Sequence, residues 1–134
     1  MHMSDWNDVA RYFDGDAVAH LATINEDGSP HVVPVWVGRE GDGDLTFFMT
    51  AGSRKDRNLA RDARAALSTT TPGNPLDMAT VRGEVVERFE GERAVEVADR
   101  LSRTYAGHDY EVRSGLAAFV FRPRVWWARD YSAE

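Results

Sequence analysis

Short apolar segments separated by turn-forming residues constrain this chain more than any other feature of its sequence. Ala17–Ile24 is one such segment, residues 25–29 have the composition of a tight turn, and His31–Val37 follows as a hairpin partner. Because proline cannot donate to a sheet ladder, Pro34 places this second strand at an edge or a bulge. Helices do not alternate with the strands, so we expect a small antiparallel barrel rather than a parallel sheet. Further strands are predicted at Leu45–Thr50, Ala65–Thr70, Asp77–Arg88, Leu116–Phe121 and Val125–Ala128.

The remaining segments are predicted as helices, loops and irregularities. Ser4 or Asp5 can cap a first helix that ends near Gly15. Gly91–Tyr105 is the clearest helix, because its apolar residues recur on one face. The other predictions are a short helix at 56–62, a polar loop at 38–44, a bulge or close approach at Gly83, and an interruption of the last two strands at 122–124.

Composition excludes several functional classes. We expect one domain spanning residues 1–134, and its net charge of −6 argues against nucleic acid or an anionic membrane as the main partner. Without cysteine the chain has no disulfide and no thiolate nucleophile. The histidines are scattered, so no metal site is predicted; they are His2, His20, His31 and His108. No apolar segment could span a bilayer and the first residues lack a signal-peptide core, so a cytoplasmic protein is expected.

The segment Gly52–Leu59 carries the strongest functional signal. Ser53 stands at a helix N-cap position directly after the strand Leu45–Thr50, and Arg54 and Lys55 occupy the first turn. Cations are unfavourable there unless an anion lies between them, because the helix dipole is positive at that end. A strand, a Gly-Ser turn and a basic first turn are typical of a phosphate site. The alternative is a solvated basic helix face that continues through Arg57 and Arg61.

Four motifs resemble the pyridoxamine 5′-phosphate oxidase-like superfamily of split β-barrel flavin-binding proteins. They are Leu21-Ala22-Thr23-Ile24, Asp27-Gly28-Ser29-Pro30, Phe47-Phe48-Met49-Thr50 and Gly52-Ser53-Arg54-Lys55. The resemblance implies a six-stranded antiparallel split barrel with a few helices. It also implies a homodimer with two flavin-type cofactors in clefts between the subunits.

The resemblance assigns cofactor contacts to individual residues. Ser53, Arg54 and Lys55 match the phosphate-binding residues, with Arg57 next to them. Phe48 and Met49 match the strand end that meets the cofactor, and Trp127 matches a C-terminal tryptophan near the ring. The strand along the ring corresponds to Val33, Pro34, Val35 and Trp36. Because Trp126 and Trp127 are adjacent on a strand, they are expected to face opposite sides.

Departures from the vitamin B6 oxidases make pyridoxamine phosphate oxidase activity doubtful. Val33 and Gly38 replace a basic residue at each end of the ring-side strand, Met78 replaces a glutamine, and the C-terminal substrate-binding segment has no counterpart. Lys55-Asp56-Arg57-Asn58-Leu59 instead resembles the branch that uses the deazaflavin coenzyme F-420.

Three functions follow from these comparisons of motifs. The first is an oxidoreductase that transfers a hydride between coenzyme F-420 and a small organic acceptor, with no predicted catalytic side chain. The second is an FMN-binding protein of the pyridoxamine phosphate oxidase-like or general-stress type. The third is a non-catalytic flavin-binding protein. The chain also carries many aromatic residues on predicted strands for one small barrel, which suggests that a second subunit covers some of them.

Overall fold

The computed structural model describes residues 4–133, so His2 lies outside the described residues. Within this range the chain forms one antiparallel sheet of seven strands, with three α-helices. The strands are β1 (Ala19–Ile24), β2 (Pro30–Val35), β3 (Val37–Glu40), β4 (Asp44–Thr50), β5 (Arg64–Thr71), β6 (Asn74–Glu90) and β7 (Leu116–Asp130). The helices are α1 (Trp6–Ala10), α2 (Arg54–Arg61) and α3 (Glu92–Ala106). None of the helices between residues 4 and 133 has the length and apolar composition that crossing a bilayer would require.

The strand order brings two consecutive segments to opposite edges of the sheet. The order is β2-β1-β5-β6-β7-β4-β3, so β2 and β3 are the two edge strands. Only Trp36 separates them in the chain. The sheet must therefore curl until its two edges approach each other at Trp36. β2 is an edge strand, as Pro34 predicted.

Two of the sequence-based boundaries were wrong. The segment predicted as a loop at 38–44 contains β3, and only the turn at 41–43 connects it to β4. The two closing strands are one continuous strand, β7, and Pro123 lies within it. The sheet of the described residues has seven strands, because the chain passes from one of its edges to the other at Trp36.

Gly83 explains how β7 continues past its proline. The β6–β7 register shifts between Arg82 and Gly83, and Gly83 faces Pro123. A Cβ atom at position 83 would lie 2.0 Å from the carbonyl oxygen of Arg122, so no larger residue fits there. The predicted close approach is confirmed, and β7 crosses this point without a break.

Two apolar clusters fill the structure. The main core lies inside the curled sheet and contains Phe47, Phe119 and Phe121, all almost fully buried. The second cluster lies between α3 and the sheet, where Ala94, Ala98 and Leu101 contact Phe48 and Trp36. Gly38 allows this packing, since a Cβ there would lie 2.6 Å from the Leu101 side chain.

Most of the aromatic residues are accommodated within the single chain. Trp126 packs edge-on against Trp6 at 5.2 Å between ring centroids and donates to the carbonyl oxygen of Ser4 at 2.7 Å. The number of aromatic residues on strands therefore does not by itself require a second subunit, and the homodimer stays a prediction. Trp127 differs, because it faces the opposite side of β7 and belongs to neither cluster.

Candidate functional site

A cavity of about 400 Å³ lies where the ends of β2 and β4 meet the beginning of α2. This volume is within the range of small-molecule sites. Its lining residues are Val18, Pro34, Val35, Trp36, Phe48, Met49, Thr50, Lys55 and Tyr110. The cavity thus combines an apolar and aromatic wall with one lysine at its edge.

The aromatic wall is fixed by Tyr105 of α3. The Tyr105 ring stacks on Trp36 at 5.3 Å between centroids, with an angle of 16° between the planes. Its hydroxyl lies 3.2 Å from the Val37 amide nitrogen, which donates to it, and within 3.0 Å of the carbonyl oxygens of Ala17 and Val37. Burial raises the pKa of the Tyr105 hydroxyl. Tyr105 therefore holds the chain at the point where the two sheet edges approach each other.

Tyr110 forms the second aromatic side of the cavity. Its ring contacts Phe48 edge-on at 4.9 Å and Trp36 at 6.0 Å between centroids. The Asp99 carboxylate accepts from the Tyr110 amide at 3.0 Å, and Arg113 donates both to Asp99 at 2.7 Å and to the Tyr110 carbonyl at 2.9 Å. Tyr110 was not among the residues predicted to contact a ligand. Its position beside Trp36 depends on how α3 folds back onto the sheet.

The turn before α2 has the capped geometry that the sequence predicted. Gly52 has φ +81°, and Ser53 is the N-cap with extended backbone. The Ser53 hydroxyl accepts from the Asp56 amide at 3.4 Å. The backbone N–H groups of Arg54 and Lys55 are the first of the helix, so they have no intrahelical acceptor.

Free positive charge is concentrated on α2. Within residues 4–133, the side chains of Arg54 and Lys55 make no hydrogen bond or ion pair. None of the four cations of α2 has a carboxylate within ion-pair distance in this range, whereas nine arginines elsewhere do. The pKa of Asp27 is lowered mainly by hydrogen bonds from Ser29, with a smaller contribution from Arg54, so Arg54 lies on the side of the β1–β2 turn. The beginning of α2 can therefore accept an anion without first breaking an internal contact.

The two acidic residues nearest these cations in the sequence form ion pairs with other arginines. Asp56 binds Arg88 and Asp62 binds Arg64, so neither forms an ion pair with Arg57 or Arg61. Arg61 instead donates to the Ile24 carbonyl at 2.6 Å and to Asn58 at 3.0 Å. Arg57 donates to the Gly52 carbonyl at 3.3 Å. Arg61 has a structural contact, whereas Arg54 and Lys55 have none.

The structure brings together about half of the residues predicted to contact a cofactor. Pro34, Val35, Trp36, Phe48, Met49 and Lys55 all line the cavity. Ser53, Arg54 and Arg57 do not line it; Ser53 is the N-cap of α2, and Arg54 and Arg57 belong to the same helix as Lys55. Val33 does not line it, because its side chain packs against the main core.

Met78 and Trp127 lie far from this cavity in the same chain. Paired residues form a row across one face of the sheet in the order Pro34, His20, Ser68, Thr80 and Trp127. Neighbouring strands are about 4.8 Å apart, so Trp127 is about 19 Å from Pro34 along the sheet. Met78 lies two residues from Thr80 on the same outer face. Neither residue lines the cavity beside Pro34.

A larger cavity of about 500 Å³ lies on this outer face. Its floor is apolar, and two of its three arginines are already paired, Arg64 with Asp62 and Arg124 with Glu84, whereas Arg82 has no ion pair within residues 4–133. Val32 nearby has 58% of its surface exposed. Because its charges are largely paired and its floor is apolar, this surface suits a protein contact better than an anionic ligand.

The described residues contain no group of three or more His, Cys, Asp or Glu side chains that could hold a metal ion. His20 is exposed on the outer sheet face and His108 lies in the exposed loop after α3. His31 is half-buried, and its Nδ1 atom is buried without a hydrogen-bond partner in the described structure. None of the three described histidines lines the cavity between β2, β4 and α2.

Comparison with known proteins identifies the architecture. The model of the family described as pyridoxamine 5′-phosphate oxidase matches residues 8–130. A solved F420 reductase structure is 24% identical, with a TM-score of 0.78 over 92% of this chain and 97% of its own. A conserved hypothetical protein from Mycobacterium tuberculosis is also 24% identical, with a TM-score of 0.75 over 97% of this chain and 86% of its own. An FMN-binding protein from Syntrophomonas wolfei is 9% identical, with a TM-score of 0.72 over 92% and 84% of the two chains.

The search of curated proteins gave no match. At these identities the structural matches establish the fold alone.

Proposed function

Because the chain belongs to the pyridoxamine 5′-phosphate oxidase family, we propose that it is an oxidoreductase that binds a phosphate-bearing, flavin-type cofactor in the cavity between β2, β4 and α2. The observation that carries this proposal is the coincidence of an aromatic cavity with the unpaired cations of α2. A planar ring needs an apolar wall, and a phosphate needs donors without other partners.

The residues present fit such a cofactor. Lys55 reaches the cavity and, with Arg54 and the free N–H groups at the start of α2, would hold the phosphate. Pro34, Val35 and Trp36 would border the ring on one side, and Phe48 and Met49 on the other. Ser53 accepts from the Asp56 amide through its hydroxyl oxygen, so its O–H would remain able to donate to the phosphate.

The cofactor would supply the redox chemistry, accepting or donating a hydride when bound, while the protein supplies orientation and a dry surface. Trp36, Phe48 and Tyr110 would exclude water from the reacting face. No side chain in the cavity is proposed as a nucleophile, and the organic acceptor would be a small molecule that enters beside the ring.

Coenzyme F-420 is the preferred cofactor, with FMN as the alternative. Arg57 is exposed beyond the phosphate pair, and the one hydrogen bond of its side chain within residues 4–133 is to the Gly52 carbonyl. The anionic tail of F-420 extends past its phosphodiester, so Arg57 would meet it, whereas FMN ends at its phosphate. The sequence motif from Lys55 to Leu59 and the structural similarity to an F420 reductase support this choice.

We also propose that the working form is a homodimer joined through the outer sheet face, and that β2 and β3 together form one bent strand of a six-stranded split barrel. The apolar cavity near Val32 supports this face as an interface. Pro34 belongs both to this face and to the cofactor cavity. A second subunit would therefore cover the cavity, and only in this way could Met78 and Trp127 contact the cofactor.

A paired binding titration tests the proposal. Purified protein is titrated with F-420 and with FMN, and the bound cofactor is then reduced and offered organic acceptors. Binding of F-420 with reoxidation by an acceptor is the expected result. Tightly held FMN without F-420 binding would favour the flavoprotein, and reduction without turnover of any acceptor would favour a non-catalytic binding protein.

A further inference from the structure

Asp56 is an acidic residue inside the most basic segment of the chain, and its carboxylate is fully occupied. Only 5% of the residue is exposed. Arg88 of β6 donates to it through Nε and Nη2, both at 2.8 Å, and the Gly52 amide donates at 2.8 Å. Hydrogen bonds from Arg88 are the main reason that the pKa of Asp56 is lowered.

The contacts of Asp56 join the turn before α2 to the sheet. The second half of α2 is attached to β1, through Asn58 on Thr23 at 3.1 Å and Arg61 on Ile24 at 2.6 Å. The first turn of α2 is attached to β6 through the ion pair between Asp56 and Arg88. This connection includes Gly52, which immediately precedes the N-cap.

We propose that Asp56 and Arg88 are positioning residues that hold the Gly52–Lys55 turn in the geometry that binds an anion. The proposal rests on the function proposed above, in which Arg54 and Lys55 hold the cofactor phosphate. Neither Asp56 nor Arg88 lines the cavity, so both act through the turn.

The sign of the effect separates this role from a simple charge effect. Removing a negative charge next to Lys55 should strengthen anion binding if Asp56 acts only as a charge. If Asp56 holds the turn, its removal should weaken anion binding instead. Arg88→Lys gives a second test, because it keeps the charge and loses the two-pronged contact with the carboxylate.

The experiment uses inorganic pyrophosphate as a probe and follows the amide resonances of Arg54 and Lys55 by NMR. In the wild-type protein these resonances should shift to saturation. Asp56→Ala should bind pyrophosphate about tenfold more weakly, the value of one charged hydrogen bond. Arg88→Lys should bind about threefold more weakly.

Asp62→Ala is the matched control, since it also removes one carboxylate from the end of α2 but breaks a contact with Arg64 at the surface. Its pyrophosphate affinity should stay within twofold of wild type. An Asp56→Ala protein with a folded spectrum and equal or tighter binding would overturn the proposal, as would wild-type amides that do not respond. If Asp56→Ala does not fold, unchanged affinity in Arg88→Lys is the contradicting result.

Cofactor titrations separate this inference from the proposed function. If pyrophosphate binding depends on Asp56 and Arg88 but neither F-420 nor FMN binds, the positioning role stands and the proposed function fails. If a cofactor binds and these variants bind pyrophosphate normally, the proposed function stands and the positioning role fails.

Discussion

Replacing the two free cations of α2 should separate cofactor binding from folding. Arg54 and Lys55 have no hydrogen bond or ion pair within residues 4–133, so their removal breaks no internal contact of those two kinds. We expect the free energy of unfolding of Arg54→Ala/Lys55→Ala to change by no more than about 0.5 kcal/mol. The loss should appear instead in the affinity for the phosphate of the cofactor.

The two residues should contribute unequally. A hydrogen bond to a charged group contributes about 1.5–3 kcal/mol. Because Lys55 is half-buried at the cavity, we expect Lys55→Ala to weaken cofactor binding by about 2 kcal/mol, or thirtyfold. Arg54 is exposed and screened by solvent, so about 1 kcal/mol or fivefold is expected for Arg54→Ala. If the two effects add, the double variant should lose about 3 kcal/mol of binding free energy, which is more than a hundredfold in cofactor affinity.

The assay compares each cofactor with its counterpart that lacks phosphate. FMN is compared with riboflavin, and F-420 with its deazaflavin ring without the phosphodiester tail, by fluorescence titration. Only the phosphate-bearing ligand should lose affinity in the variants. Arg61→Ala is the control on the same helix: its contact with Ile24 is structural, so it should lower stability by about 1 kcal/mol and leave the phosphate preference unchanged. Equal losses for both ligands, or no loss, would refute the phosphate assignment.

Three further predictions concern the cofactor tail, the assembly and the response to alkali. Arg57→Glu should weaken F-420 binding at low salt and leave FMN nearly unchanged, and added salt should reduce the difference because exposed charges are screened; equal effects on both cofactors would argue against a tail contact. Light scattering at micromolar concentration should report a dimer, and Val32→Glu on the outer face should shift it to monomer; a wild-type monomer would remove the intersubunit contacts of Met78 and Trp127. Burial and the hydrogen bond to Asp77 raise the pKa of Tyr12 to about 12, above its ordinary value near 10. The stabilisation that accompanies this shift is therefore present below pH 10 and lost as the pH rises towards 12. The melting temperature of Tyr12→Phe should depend less on pH in that range than the melting temperature of the wild-type protein. Identical pH profiles for the two proteins would contradict this.

Local patterns in the sequence predicted the local features of the structure well. The cap at Ser53, the basic first turn of α2 and the edge position of Pro34 depend on a few neighbouring residues, and all three are present. Gly83 also signalled its close approach, although its partner Pro123 could not be identified from the pattern. The expected break at 122–124 failed for the same reason, since β7 stays continuous only because Gly83 makes room.

Features that depend on distant contacts could not be predicted. Strand β3 lies in a segment predicted as a loop, and the amide of its first residue, Val37, donates to the hydroxyl of Tyr105, which lies 68 residues later. The Asp56–Arg88 pair joins residues 32 positions apart, so the sequence suggested nearer partners for Asp56. Tyr110 reaches the cavity only because Asp99 and Arg113 hold its backbone.

Mapping the bound cofactor onto the chain by NMR tests whether it binds in the cavity between β2, β4 and α2. Amide resonances of the wild-type protein are compared by NMR with and without saturating F-420, and in parallel with FMN. We predict that the largest shifts fall at residues 35–36, 48–50 and 52–55, around the cavity beside α2. Largest shifts at residues 64–66, 82–84 and 124–125, around the cavity of the outer sheet face, would contradict it.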